Sequence, residues 1–190
     1  MNILAHLFLA GNDEGLIVGN FIADSVKGSK YLHYPETIKK GILMHREIDS
    51  FSDHNAVYLR SVHRLQPMFG KYSGIINDMF TDYFLANNWA IYSDTNFELF
   101  CTNSYTILHK YENMMPEESK TMLKYMSEKN WLHSYKSIEG IKHALTGMSN
   151  RMKYYFPMDK ASDLLKTAPE AYLEDFTEFF PILMKHVIIL

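Results

Sequence analysis

His45-Arg46-Glu47-Ile48-Asp49-Ser50-Phe51-Ser52-Asp53-His54 is the stretch on which the reading of the fold turns. It continues the series Ile38, Ile42, His45, Asp49, so an imidazole and then a carboxylate stand where helical spacing calls for core residues. A buried, unpaired carboxylate is strongly unfavourable or takes up a proton, so an acid on that face needs a cation, a hydrogen-bonding partner or a metal. What meets the face must come from the rest of the chain.

The 190 residues suffice for one sizeable core and are short for two, which predicts a single domain over residues 1–190. A hydrophobic share of 47% and an aromatic share of 14%, with no Gly/Ser linker, describe a packed globular chain. The net charge of −3 gives no electrostatic basis for nucleic-acid binding. Cys101, the only cysteine, excludes an intrachain disulfide and a Cys-rich zinc site, and reads as a structural thiol. The apolar start, Met1 to Ala10, has no basic lead-in and is cut short by Asn12, Asp13 and Glu14, and no later segment is long enough to span a membrane. A soluble, cytoplasmic protein without a membrane partner is the expectation.

Outward from the opening stretch, apolar periodicity predicts helices throughout, with no alternating strand and no Asn-Gly hairpin, hence an all-α bundle. Ile3, His6, Leu7 and Ala10 share a stripe, which makes His6 either a core histidine or a functional one. Asp24 closes the helix Gly15–Asp24 against the helix dipole and needs a positive neighbour, either Lys27 or a metal. Pro35-Glu36 opens the helix that carries His45, and Asn55 or Ser52 ends it or caps the next. That next helix turns Val57, Leu59, Val62, Leu65 and Phe69 inward, while Arg60 and Arg64 share an outer face. In the following one, Ile75, Met79, Asp82, Ala86 and Trp89 look inward, with Asp78 one turn before Asp82. Ser93 or Asp94, Pro116-Glu117, Ser137 and Pro169 mark four later helix starts, and Glu170, Glu174 and Glu178 form a solvated face opposite Leu173, Phe176 and Phe180.

Collected, the inward polar residues are His6, Asp24, His45, Asp49, Asp78 and Asp82, with Asp53 close by. Carboxylates and imidazoles on several packed helices suit a divalent ion such as Mn²⁺ or Mg²⁺. Asp24, His45 and Asp78 are the expected innermost ligands, because they come from different helices, with Asp49 and Asp82 as further ligands or orienters. No P-loop, Gly-x-Ser-x-Gly elbow, His-Glu-x-x-His or Glu-x-x-His pair is present, which sets aside kinase, serine hydrolase and ferritin-like readings.

The runs Met1–Leu7, Gly19–Gly28, Gly41–Asp53 and Asp78–Leu85 resemble, in order and spacing, the acyl carrier protein phosphodiesterase family. They cover the first half of the chain; the second half is similar to the family only in being helical. The resemblance implies a distorted HD phosphohydrolase fold and a manganese-dependent release of 4′-phosphopantetheine from holo acyl carrier protein. His6, Asp24, His45, Asp49, Asp53, Asp78 and Asp82 fall on its polar motif positions. Two departures stand out: Asn55-Ala56 where many relatives have His-Pro, and Tyr83 in place of a histidine. His54 is out of register and is left out of the site.

His6 and Asp49 are the expected catalytic residues, His6 as general acid. Lys27, Lys30, Arg46, Arg60 and Arg64 are the expected docking strip for an acidic carrier protein. Two other readings remain at this stage: an HD-like phosphohydrolase of a nucleotide or small phosphate ester, and a non-catalytic helical interaction protein.

Overall fold

Side-chain caps and prolines set most helix starts in the computed structural model, which describes residues 2–188. The first five long segments are α1 (Ile3–Leu9), α2 (Glu14–Ile22), α3 (Glu36–His54), α4 (Ala56–Phe69) and α5 (Ser73–Asn87). They are followed by α6 (Trp89–Tyr92), α7 (Phe97–Lys110), α8 (Glu117–Glu128), α9 (Trp131–Ser134), α10 (Ile138–Asn150), α11 (Leu164–Thr167) and α12 (Glu170–Val187). Among the described residues there is no strand, and no helix is long and apolar enough to cross a membrane. Pro35 and Pro116 precede α3 and α8, and Asn55 caps α4 by accepting from Val57 N and Tyr58 N. Asn96, rather than Ser93 or Asp94, caps α7, because its carboxamide oxygen reaches Glu98 N and Leu99 N.

Val62, Leu65 and Phe69 on α4 and Met79, Asp82 and Ala86 on α5 are buried as expected, and the two faces depart from expectation only near their first turns. On α4 the buried stripe is Tyr58, Ser61, Val62, Leu65 and Phe69, with Val57 and Leu59 only half-buried; on α5, Ile76 is buried and Ile75 exposed. Polar groups account for the shift on α4. Tyr58 turns inward to donate from its hydroxyl to Asp78, and Ser61 donates to Asp175 at 2.7 Å. Cys101 is buried, and burial pushes its thiol up to about 12, as befits a packing residue.

Asp175 on α12 is 5% exposed and is the centre of an ion-pair cluster that sequence periodicity missed. Arg64 Nη1 lies 2.6 Å from it and Arg60 Nε 3.1 Å, and Arg60 also pairs with Glu178. The outer face of α4 is thus a buttress against α12 rather than an open basic strip. Arg60→Glu, which sets a third carboxylate beside Asp175 and Glu178, is expected to lower the melting temperature in a thermal denaturation monitored by circular dichroism. An unchanged melt would detach this cluster from stability.

The packing that matters for the site is the crossing of α2 over α3. A Cβ on Gly41 would lie 2.6 Å from the Leu16 carbonyl oxygen, and one on Gly19 would lie 2.7 Å from the Gly41 Cα, so the two backbones meet where neither residue has a side chain. That closeness brings the α2 residue Asn20 against His45 on α3.

Candidate metal centre

His45 and Asp49 stand one turn apart on α3 and face the same way, so His45 Nε2 reaches Asp49 Oδ2 at 3.2 Å. α1 delivers His6 to the same point. Its ring stacks on that of His45 with centroids 3.8 Å apart and planes 10° from parallel, and its Nε2 lies 3.2 Å from Asp49 Oδ1. Each carboxylate oxygen of Asp49 therefore meets a different imidazole.

Asn20, 1% exposed, orients both rings. Its main-chain carbonyl accepts from His45 Nδ1 at 2.9 Å, and its side-chain Oδ1 lies 3.3 Å from His6 Nδ1. The amide nitrogen donates to the Leu16 carbonyl, which keeps the oxygen end toward His6. A carbonyl can only accept, so both Nδ1 atoms carry hydrogen and both Nε2 atoms point their remaining capacity at the cluster. Asn20 went unnoticed in the sequence, although an amide inside Leu16-Ile17-Val18-Gly19-Asn20-Phe21-Ile22 poses the same question of partners as Asp49.

The electrostatics are those of a site that wants one positive charge. Burial holds His6 down at about 4 in spite of its bond to Asp49, so that ring is neutral. Burial also opposes charge on His45, but the neighbouring Asp24 and Asp49 outweigh it and raise this imidazole to about 9. Burial works against the charge on Asp49 as well, yet its bonds to His45 and His6 keep the carboxyl well below the usual range. His6 Nε2, His45 Nε2 and an Asp49 oxygen lie within 4.8 Å of one another, a donor set that fits a borderline divalent ion. Two imidazoles among three donors are a poor match for Mg²⁺, which prefers an all-oxygen shell.

The remaining candidates are placed differently. Asp24 is on the rim, in the one-turn helix Ala23–Ser25, with its side chain exposed and Oδ1 3.6 Å from His45 Nε2. It faces His45 rather than the core, and its ion pair is with the imidazole rather than with Lys27. Asp82, fully buried, accepts from Leu4 N and Ala5 N at 3.0 Å each and so caps the N-terminus of α1 from α5. Asp78, half-buried, accepts from the Tyr58 hydroxyl, and burial raises its carboxyl. The structure does not bring Asp78 or Asp82 into the imidazole cluster; both hold helices together instead. Asp53 and His54 are exposed at the end of α3, with His54 Nδ1 on the Ser50 carbonyl.

Of the expected docking residues, Lys27 and Lys30 are exposed in the turn after Asp24. Arg46 donates to the Val26 and Gly28 carbonyls and lies over the Tyr31 ring, so it fastens that turn to α3. Arg60 and Arg64 are taken up by Asp175 and Glu178.

The cluster lines a cleft of about 710 Å³, to which α8, α9 and α10 also contribute. Met122, Trp131, Tyr135, Ala144 and Met148 make that contribution mainly apolar. The second half of the chain, plain helix in sequence, therefore builds half of the site.

Fold and site together define an all-helical protein with an imidazole–carboxylate centre beside a cleft. Comparison with known proteins narrows the class. The sequence matches the family model described as acyl carrier protein phosphodiesterase over residues 1–183. An acyl carrier protein phosphodiesterase of Salmonella agona is 28% identical over 185 residues, spanning 97% of this chain and 96% of that one, and one of Salmonella newport gives the same figures. No solved structure matches, so a relation to HD phosphohydrolases rests on sequence resemblance alone. The chain belongs to the acyl carrier protein phosphodiesterase family, whose enzymes are phosphoric diester hydrolases. The match runs well past the motifs of the first half, so the kinship covers α8 to α10 and most of α12 too.

Proposed function

We propose that the protein hydrolyses holo acyl carrier protein to the apo carrier and 4′-phosphopantetheine, with Mn²⁺ held by His6, His45 and Asp49 and approached by Asp24. The observation that carries this reading is the convergence of two imidazole Nε2 atoms on one carboxylate, with both Nδ1 atoms tied to Asn20. When bound, the ion supplies Lewis acidity toward water and toward the phosphoryl oxygens. The chain supplies the rest. Asn20 fixes the tautomers, Asp49 orients both rings, and the cleft beside them shields the reacting ester from bulk solvent. His6, neutral and stacked inside the cluster, acts as a ligand in this reading rather than as the general acid expected from sequence.

The cleft favours this substrate over a nucleotide. Among the described residues, Arg151 is the only Lys or Arg lining it, set against Asp24 and Glu118, which is poor provision for a polyphosphate. Incubation of holo carrier protein with the enzyme after chelation, with and without added Mn²⁺, tests the reading by mass spectrometry of the carrier. Apo carrier appearing only with the ion supports it; equal conversion in chelator would remove the metal from the proposal.

Two further outcomes are expected. Asn20→Ala, which removes the Oδ1 partner of His6 Nδ1 and keeps the main-chain carbonyl on His45 Nδ1, should weaken Mn²⁺ binding by ~10-fold in isothermal titration, the lower end of the scale for a lost outer partner. Lys27→Glu with Lys30→Glu should raise KM for the acidic carrier more than it lowers kcat, and should flatten the fall of kcat/KM with salt, because exposed charges act mainly on encounter. Unaltered KM and salt dependence would place docking elsewhere.

A further inference from the structure

The lining of the cleft includes a stripe of small residues on α10, Gly140, Ala144 and Gly147, spaced by four and three. The two glycines answer different needs. A Cβ on Gly140 would run into the main chain of Ser134, 2.6 Å from its carbonyl carbon, so that glycine lets α9 and α10 approach. A Cβ on Gly147 would meet nothing within 4 Å, and the residue has an ordinary helical backbone with no positive φ. Glycine is among the poorest helix formers, and no neighbour in the fold requires it here. What it leaves is room, in a cleft that is also lined by His6, His45 and Asp24.

The chemistry of that room is specific enough to name its occupant. Besides the cluster residues its lining is apolar at Met122, Trp131, Ala144 and Met148 and polar but uncharged at Thr121, Tyr125 and Ser134, with His143, the carboxylate of Glu118 and the guanidinium of Arg151. Charge is thus nearly balanced along it, which suits a long, uncharged chain. The volume of about 710 Å³ lies in the range that encloses a drug-sized group. The phosphorus has to sit at the cluster, so a group esterified to the phosphate extends into this space.

We propose that the cleft is the subsite for the uncharged organic arm carried on the phosphate, and that Gly147 limits the size of the arm accepted. The inference rests on the phosphodiesterase reading above for the identity of the arm. Its test is a size series, Gly147→Ala, Gly147→Leu and Gly147→Trp, with free 4′-phosphopantetheine and inorganic phosphate as separate probes in calorimetric titrations of the Mn²⁺-loaded protein. Gly147→Ala should bind both as the wild type does. Gly147→Leu and Gly147→Trp should weaken the arm-bearing probe by at least ~10-fold while inorganic phosphate stays within ~2-fold, as expected for methylene-scale crowding of an apolar pocket. Melting temperatures of the alanine and leucine variants should not fall, because both are better helix formers than glycine. Arm binding unchanged in the tryptophan variant, or phosphate binding that falls in step with it, would overturn the proposal. The two readings fail separately. If the arm binds the wild type and is expelled by leucine, but the holo carrier is not cleaved, the subsite stands and the activity does not. If the carrier is cleaved equally by the wild type and the tryptophan variant, the activity stands and the subsite falls.

Discussion

His45→Ala is expected to abolish measurable Mn²⁺ uptake and phosphodiesterase turnover together, a loss well beyond the ~100-fold at which removal of an outer partner stops. The reason is geometric. Among the described residues, His45 alone touches Asp24, Asp49 and Asn20 together, at 3.6, 3.2 and 2.9 Å. Without it Asp49 keeps one imidazole and the rim carboxylate keeps none. Asp49→Asn should give the same double loss, since it keeps the shape and removes the charge on which both rings converge. Both variants should fold, because the residues that pack the α2–α3 crossing are untouched. Full Mn²⁺ stoichiometry in both, measured by metal analysis after dialysis, would move the centre away from this cluster. Asp78→Ala separates the structure's arrangement from the one expected by sequence: it should leave the number of ions bound unchanged.

Asp82→Ala should have the largest effect on stability. Two buried main-chain donors, Leu4 N and Ala5 N, lose their acceptor, and each orphaned group costs ~1–3 kcal/mol, so a loss of about 2–6 kcal/mol in denaturant unfolding is expected. Asp82→Asn, which keeps one acceptor oxygen, should cost roughly half as much. Because α1 also carries His6, the alanine variant should bind Mn²⁺ more weakly even where it remains folded. The carboxyl has a pH signature as well. Burial pushes Asp82 up to about 7 from an ordinary 3.8, so the folded chain holds a proton there that the unfolded chain has already released. With the native pKa raised, the contribution is complete below about pH 4 and is lost as pH rises toward 7. Stability should therefore fall with pH across that window, and less steeply in Asp82→Asn. A slope identical in the wild type and the asparagine variant would contradict the assignment.

Asp49 and Asp82 show what was legible in the sequence and what was not. Both interrupt an apolar helical stripe, and the sequence shows that each must meet a compensating partner. It does not show whether that partner is an imidazole pair or the head of another helix, because His6, the second imidazole on Asp49, and the α1 donors to Asp82 lie more than forty positions away. Helix content and most boundaries were readable because caps and prolines act locally, as at Asn55 and Ser137. The shift at the start of α4 was hidden because Tyr58 and Ser61 are drawn inward by Asp78 and Asp175 on other helices. Arg60 and Arg64 looked free for the same reason: Asp175 sits among the glutamates of α12 and passes in sequence for one more solvated acid.

The candidate ligands all come from residues 6–49, while much of the lining of the cleft comes from residues 118–151. Two stretches of chain with separate duties can change at different rates. Grafting the α8–α10 segment of a relative onto this chain, with its contacts to α5 preserved, would exchange the accepted substituent and keep the ion. On the proposed reading, substrate range is set by one half of the polypeptide and the reaction by the other, so the first can be altered without touching the candidate ligands.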